Sequence, residues 1–227
     1  MIRWRAPGPY VVAFTERGGG VSTGGYESLN LGSRGDDRAR MAENRRLACE
    51  QLGLDASRLA LNRQQHRATV HRGVAGEWRV GDALWTDEPG LPLLALTADC
   101  VPIAIVTTAG TPALAVVHAG WRGLAAGVVE GAAAALPDGP KAAAIGPAIG
   151  PCCYEGGTEV STRFEPDLVE GRMLDLWTAA ERALGRAGVT AVERLDLCTR
   201  CHHDRFFSHR ASGGVHGAQG VIGALAG

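Results

Sequence analysis

Two apolar runs of β type, Val101–Val106 and Ala113–Val117, dominate the middle of the chain and predict neighbouring strands. A polar residue with reactive chemistry closes each of them. Cys100 ends a short polar turn, Thr97-Ala98-Asp99-Cys100, just before the first run. His118 stands just after the second and leads into a Gly120-Trp121-Arg122-Gly123 turn. A thiol and an imidazole at the ends of neighbouring strands can converge on one point. In open α/β sheets function gathers at strand ends.

Around this centre the pattern predicts further elements. Tyr10–Thr15 is a short strand. The stretch from Glu16 to Gly35 is rich in glycine and serine and has no periodicity, and a loop of that length inside a domain suggests binding. Leu29 and Leu31, beside Ser28 and Asn30, tie part of it down. Asp36 or Asp37 caps a helix that runs to about Leu52 and stops at Gly53. Met41, Ala48 and Leu52 give it a buried stripe, which Arg45 flanks. Arg58 to Val74 alternates loosely and reads as strand, carrying His66 and His71. Leu84–Trp85 and Leu93–Thr97 add more strand. Ala113–Val117, a helix over roughly Leu124–Leu136 and a strand at Ala142–Ile145 form a βαβ unit with parallel strands. A Gly/Pro-rich turn holding Cys152 and Cys153 follows. Then come a helix from Leu174 to Ala187 with core face Leu176, Ala180, Ala183 and Leu184, a strand at Val192–Leu197, and one apolar strand in the tail. No repeat and no domain boundary interrupts the order, so a single mixed α/β domain is expected.

Composition narrows the function. Among 227 residues, 45% are hydrophobic and 21% charged, enough for a real core. The net charge of −1 presents no basic face and argues against nucleic acid as a partner. The first residues lack a signal-peptide core, and no run approaches the ~20 apolar residues of a membrane span. A soluble cytoplasmic protein, monomeric or weakly dimeric and with no membrane partner, is expected. Its six cysteines are then reduced thiols, suited to metal binding or catalysis more than to disulfides.

Three side chains stand out as ligands: His66, Cys100 and His118, spaced 34 and 18 residues apart. Two imidazoles and a thiolate make a three-ligand zinc set with a fourth position open to water, which the metal acidifies. Spacing alone favours the plainer reading of three satisfied core residues. A blue-copper centre would want a methionine as well, and the chain has only Met1, Met41 and Met173. A multicopper enzyme would need more histidines than seven. Composition therefore favours zinc over copper. Cys198-Thr-Arg-Cys201-His202 matches the spacing of haem attachment, but such attachment belongs outside the cytoplasm. A zinc on Cys198, Cys201 and His202 or His203 is disfavoured, and Cys152-Cys153 reads as packed in its turn. His71, His209 and His216 have no evident partners.

TADCVPI, VVHAGWRG, GPAIGPCCYE and the early RGGGVS…SLNLG…D…NRR run together resemble the YfiH family, also called laccase-domain or multicopper polyphenol oxidoreductase proteins. The resemblance covers Phe14 to Ile222. It implies that family's α/β fold and a mononuclear zinc on His66, Cys100 and His118. It implies phosphorolysis of adenosine, inosine, guanosine and methylthioadenosine, with deamination of adenosine, so purine nucleosides and phosphate are the expected partners. In the family's NR position Arg45 is the expected phosphate clamp, because a guanidinium binds two phosphate oxygens at once. Ser28 and Asn30 add hydrogen bonds to the phosphate, and Arg17 is a lesser candidate. Some relatives resemble amidases that edit a UDP-muramic acid precursor, for which Cys100 is a nucleophile paired with His118. Copper-dependent oxidation of phenols is an older reading. The chain departs from the family pattern in Arg67, where glycine is usual, in Gly217-Ala218, where Gly-Arg is common, and in the glycines after Glu155. These departures bear on substrate range.

Overall fold

The computed structural model describes residues 1–32 and 35–227. The strands in chain order are β1 (Ile2–Trp4), β2 (Tyr10–Phe14), β3 (Ala60–Arg63), β4 (Val70–Arg72), β5 (Trp78–Val80), β6 (Ala83–Thr86), β7 (Leu93–Thr97), β8 (Val101–Thr107), β9 (Leu114–Ala119), β10 (Lys141–Ile145), β11 (Val169–Glu170), β12 (Met173–Leu174), β13 (Ala191–Arg194) and β14 (Gln219–Leu225). The α-helices are α1 (Arg38–Glu50), α2 (Trp121–Ala125), α3 (Val128–Ala135), α4 (Thr158–Ser161), α5 (Leu176–Arg186) and α6 (His209–Ser212).

Two mixed six-stranded sheets carry the fold, ordered β1-β2-β14-β7-β3-β5 and β13-β10-β8-β9-β6-β4. They stack face to face, and helices cover their outer faces. β8 shows why: it is buried along its whole length, and its side chains alternate between two cores. Val101, Ile103 and Ile105 point toward α3 and α5, while Ala104 and Val106 join Phe14, Leu93 and Val221 between the sheets. Burying each such valine, isoleucine or leucine contributes roughly 1.5–3 kcal/mol. A third cluster packs Leu94 and Ile222 of the first sheet against Ala48, Cys49 and Leu52 of the α1 region.

Several expectations are met. α1 is capped by Asp37, whose carboxylate accepts from the Ala39 and Arg40 amides. α5 carries the expected core face and ends before Gly188. β9 and β10 are parallel, since each pairs antiparallel with β8 between them. Others are corrected. The helix expected over 124–136 is two helices, because Gly127 takes a left-handed φ of 84° and breaks it. The strand expected over 58–74 is β3 and β4 in different sheets, with His66 in the loop between. The α1 stripe includes the polar Asn44, fully buried. Its amide reaches Ser22, Ser28 and Asn30, and its oxygen accepts from Val21, pinning the loop after β2. Positions 33 and 34 of that loop lie outside the described residues.

One feature of the topology positions the site. β7, β3 and β5 are parallel neighbours in the first sheet. Each is followed in sequence by a strand of the second sheet: β8, β4 and β6. The chain therefore makes three crossings from the first sheet to the second, at 98–100, 64–69 and 81–82.

Candidate metal centre and its cavity

Strand register brings the three candidate ligands together. β9 runs antiparallel to β8 and β6 and ends where they begin. Pro102 pairs with His118, so Cys100 at the start of β8 faces His118 at the end of β9. His66 enters from the β3–β4 crossing. Its ring meets that of His118 edge-on, centroids 4.8 Å apart, and its Nε2 lies 3.8 Å from Cys100 Sγ. One donor atom from each of the three residues falls within 4.8 Å of the others.

Asp82 organises this trio. It sits at the β5–β6 crossing, fully buried, and accepts from His118 Nδ1 at 2.8 Å. Its two oxygens also receive the backbone amides of Gln65, His66 and Arg67. Those bonds hold His66 at a φ of 58°, a left-handed conformation rare outside glycine. With Nδ1 of His118 committed to the carboxylate, Nε2 is left to face Cys100, the arrangement that orients metal-binding histidines. Burial alone would raise the Asp82 carboxyl, but His118 and the amides of Arg67 and Gln65 outweigh it and hold it low.

Cys100 is set the same way. Asp99, left-handed at φ 85°, accepts from Thr199 Oγ1 at 2.6 Å and from the Arg210 amide at 2.8 Å. Gly120 closes the site from the opposite side. A Cβ there would stand 2.9 Å from His66 Cδ2 and 3.1 Å from Cys100 Sγ, so only glycine lets the Gly-Trp-Arg-Gly turn approach. Burial pushes the Cys100 thiol up, yet His118 and then His66 bring it down to about 6. Burial pushes His118 down, yet the thiolate and Asp82 carry it up to about 9. Without a metal the pair is therefore a thiolate beside an imidazolium at neutral pH.

The trio opens into a cavity of about 570 Å³. Trp121 and Tyr154 contribute aromatic surface, and each carries a guanidinium over its ring: Arg122 at 4.2 Å from the Trp121 centroid and Arg210 at 5.1 Å from that of Tyr154. Neither arginine forms a salt bridge among the described residues. His209 and His216 also line the cavity, their nitrogens 3.0 Å apart. On another wall Asn62, only 2% exposed, has no hydrogen-bond partner at either amide atom, and buried Thr97 has none at its hydroxyl.

The expected phosphate set stands away from this cavity. Ser28 accepts from the Gly20 amide and donates to the Arg17 carbonyl. Asn30, fully buried, donates to Asp36 and accepts from the Gly32 and Ala218 amides. Arg17 is spent on the Glu27 and His203 carbonyls and lies over Phe207. Their polar atoms build the loop, which is why none of the three lines the cavity. Arg45 is closer. Its Nε donates to the Leu31 carbonyl, its guanidinium covers Trp78, and its Nη2 lies behind Gly32, which lines the cavity rim.

Asp82 was legible as a polar residue set directly before the apolar run Ala83–Trp85, as Cys100 is before Val101. Arg122 was visible in the Gly-Trp-Arg-Gly turn four residues after His118, whereas nothing local marked Asn62, Arg210, His209 or His216, which join the cavity through long-range packing.

Comparison with known proteins agrees with this fold. The family model described as multi-copper polyphenol oxidoreductase laccase matches residues 11–225. A purine nucleoside phosphorylase of Pseudomonas aeruginosa is 39% identical over 224 residues, covering 92% of this chain and 91% of the relative. The purine nucleoside phosphorylase YfiH of Escherichia coli is 34% identical over 224 residues, with 92% and 91% covered. The crystal structure of YlmD from Geobacillus stearothermophilus superposes with a TM-score of 0.89 at 31% identity, covering 99% of this chain and 94% of YlmD.

Proposed function

From its membership of the multi-copper polyphenol oxidoreductase laccase family, in which it stands beside the YfiH and YlmD proteins, we propose that this chain is a zinc-dependent purine nucleoside phosphorylase. The observation that carries the reading is one cavity of nucleoside size holding three things together: a metal-competent trio, two guanidinium groups free of carboxylates, and a buried amide without a partner.

The trio suits zinc. Two imidazole nitrogens and a thiolate within 4.8 Å of one another, with His66 Nε2 3.8 Å from Cys100 Sγ, suit the three protein ligands of a tetrahedral zinc. No methionine lines the cavity to serve as the weak axial ligand of a blue-copper site. When bound there, zinc supplies Lewis acidity at the cavity floor.

The chain's own residues do the rest. In phosphorolysis a phosphate oxygen bonds to the ribose C1′ as the C1′–N9 bond breaks. Positive charge builds on the sugar, and the purine leaves with the bonding electrons. Arg122 and Arg210 hold the phosphate by paired N–H donors, with Arg45 adding positive charge behind the Gly32 rim. Trp121 and Tyr154 cover the base. The Asn62 amide, which can both donate and accept, meets the N6/N7 or O6/N7 edge of the purine and stabilises it as it leaves, with Thr97 beside it. Deamination of adenosine in the same cavity is a second activity we assign to it. The reduced cysteines and the absence, among the described residues, of any helix long and apolar enough to cross a membrane fit a cytoplasmic setting.

The test is product analysis with adenosine, with and without phosphate. Adenine and ribose 1-phosphate appearing only with phosphate, and inosine in both tubes, are expected. Adenosine intact in both would overturn the reading.

A further inference from the structure

A second cluster of metal-binding character lies apart from the first. Cys152 and Cys153 sit in the turn after β10, and Cys198 and Cys201 sit in the turn after β13. The two pairs are nearly fifty residues apart in sequence, yet all four sulfurs fall within 4.8 Å of one another. Cys201 Sγ is 3.5 Å from that of Cys153 and 3.7 Å from that of Cys152. Zinc–sulfur bonds of about 2.3 Å place the corners of a tetrahedron about 3.8 Å apart. A disulfide needs about 2.05 Å, and no pair is bonded.

We infer that Cys152, Cys153, Cys198 and Cys201 form a closed tetrathiolate zinc site, separate from the cavity. Ordinary packing does not account for the cluster. Cys152 and Cys201 are exposed, so they gain little from burial, yet their sulfurs turn inward to one point. The surroundings match a filled site. The Gly150 amide donates to Cys198 Sγ at 3.3 Å, the kind of outer hydrogen bond that orients a thiolate ligand. Arg200 reaches the Cys153 carbonyl, which sets a positive charge beside a site whose four thiolates outweigh the dication.

The site has a structural use. Both turns lack regular secondary structure, and both adjoin the cavity. Cys153 precedes Tyr154 of the cavity wall. Cys198 precedes Thr199, whose hydroxyl holds the Asp99 turn beside Cys100. With all four positions taken by sulfur the ion has no open place for substrate, so it staples the wall rather than acting on it. This assignment does not depend on the purine reading.

The experiment is metal analysis of the full chain purified without chelators, together with the Cys100→Ala and Cys152→Ser/Cys201→Ser variants. Wild type should carry two equivalents of zinc and each variant one. The Cys100→Ala protein, stripped and reloaded with cobalt(II), should show the intense visible and near-ultraviolet bands of a four-thiolate tetrahedral ion. One equivalent in wild type that the serine variant retains would overturn the site. So would iron in place of the second zinc, or a disulfide among these cysteines in the intact mass of freshly prepared protein. If the serine variant does not fold, the zinc count of wild type and the cobalt spectrum still decide.

Discussion

Replacing Asp82 by asparagine tests the claim that one carboxylate sets the geometry of the metal trio. The change keeps size and removes charge. Asp82 accepts on both oxygens: one takes His118 Nδ1 and the His66 amide, the other takes the Arg67 amide, and the Gln65 amide is shared. Whichever way an asparagine amide turns, its NH2 faces at least one backbone N–H. Hydrogen bonds to a charged acceptor contribute about 1.5–3 kcal/mol against about 1 for neutral ones, so the metal-free protein should lose roughly 2 kcal/mol. For a chain of this size that is about 4–8 °C in Tm. Outer partners of metal-binding histidines are worth about 10–100-fold in affinity, or about 1.4–2.7 kcal/mol. Because Asp82 holds two of the three ligands, the upper end is expected. Competition with a chromophoric zinc chelator gives the affinity, and calorimetry of the stripped protein gives the Tm. Zinc affinity within threefold of wild type would refute the role assigned to Asp82.

Three more outcomes follow from the same geometry. Asn62→Leu removes a buried amide with no partner, so the protein should hold or gain about 1 kcal/mol in denaturant titration while kcat/KM for inosine falls roughly 10–100-fold; lost stability with unchanged kinetics would contradict base recognition there. Gly120→Ala drives a methyl against His66 and Cys100 and should weaken zinc binding more than tenfold with the circular dichroism spectrum intact; wild-type zinc binding would show that the turn can give. In stripped protein the Cys100 thiol is held near 6, so its thiolate is lost only as pH falls through that value; iodoacetamide labelling should be half-maximal near pH 6 and zinc should block it, whereas a midpoint near 9 would mean that His118 does not reach it.

Which parts of this arrangement the sequence disclosed follows from range. β8 and β9 were readable as apolar runs because both of their faces are buried, and the residues that close them converge by strand register alone. α1 announced itself through its acidic N-cap and glycine stop, and α5 through its apolar face and the glycine that ends it, while its Asp175 cap was not read. The long alternation over 58–74 misled, because a crossing between two sheets leaves apolar residues on both sides of a polar loop. Ser28, Asn30 and Arg17 looked like ligand contacts because polar side chains in a glycine-rich loop serve the loop and a ligand equally well. Only their contacts in the fold show what their polar atoms hold: Asn30 holds Asp36 and the Gly32 and Ala218 amides, Ser28 the Gly20 amide and Arg17 carbonyl, and Arg17 the Glu27 and His203 carbonyls. The cysteine pairs were each visible, but nothing in one turn specifies the other.

The three crossings explain why chemistry collects where it does. A crossing takes the chain out of one ladder before it enters the next, so its backbone amides need other acceptors. At the 64–69 crossing the acceptor is a buried carboxylate, and a second buried carboxylate, within the 98–100 crossing, draws in donors from elsewhere in the chain. Asp82 serves the amides of the 64–69 crossing, and Asp99 binds Thr199 and the Arg210 amide from the C-terminal region. Burying a carboxylate without a cation is costly, and several convergent donors are needed to offset it. Such a group adds little net stability, but it permits very few backbone arrangements. Here those arrangements are the ones that turn His66 and Cys100 toward His118. The candidate metal trio therefore follows from how this fold satisfies its own crossings, and its geometry should stay nearly unchanged in the metal-free protein.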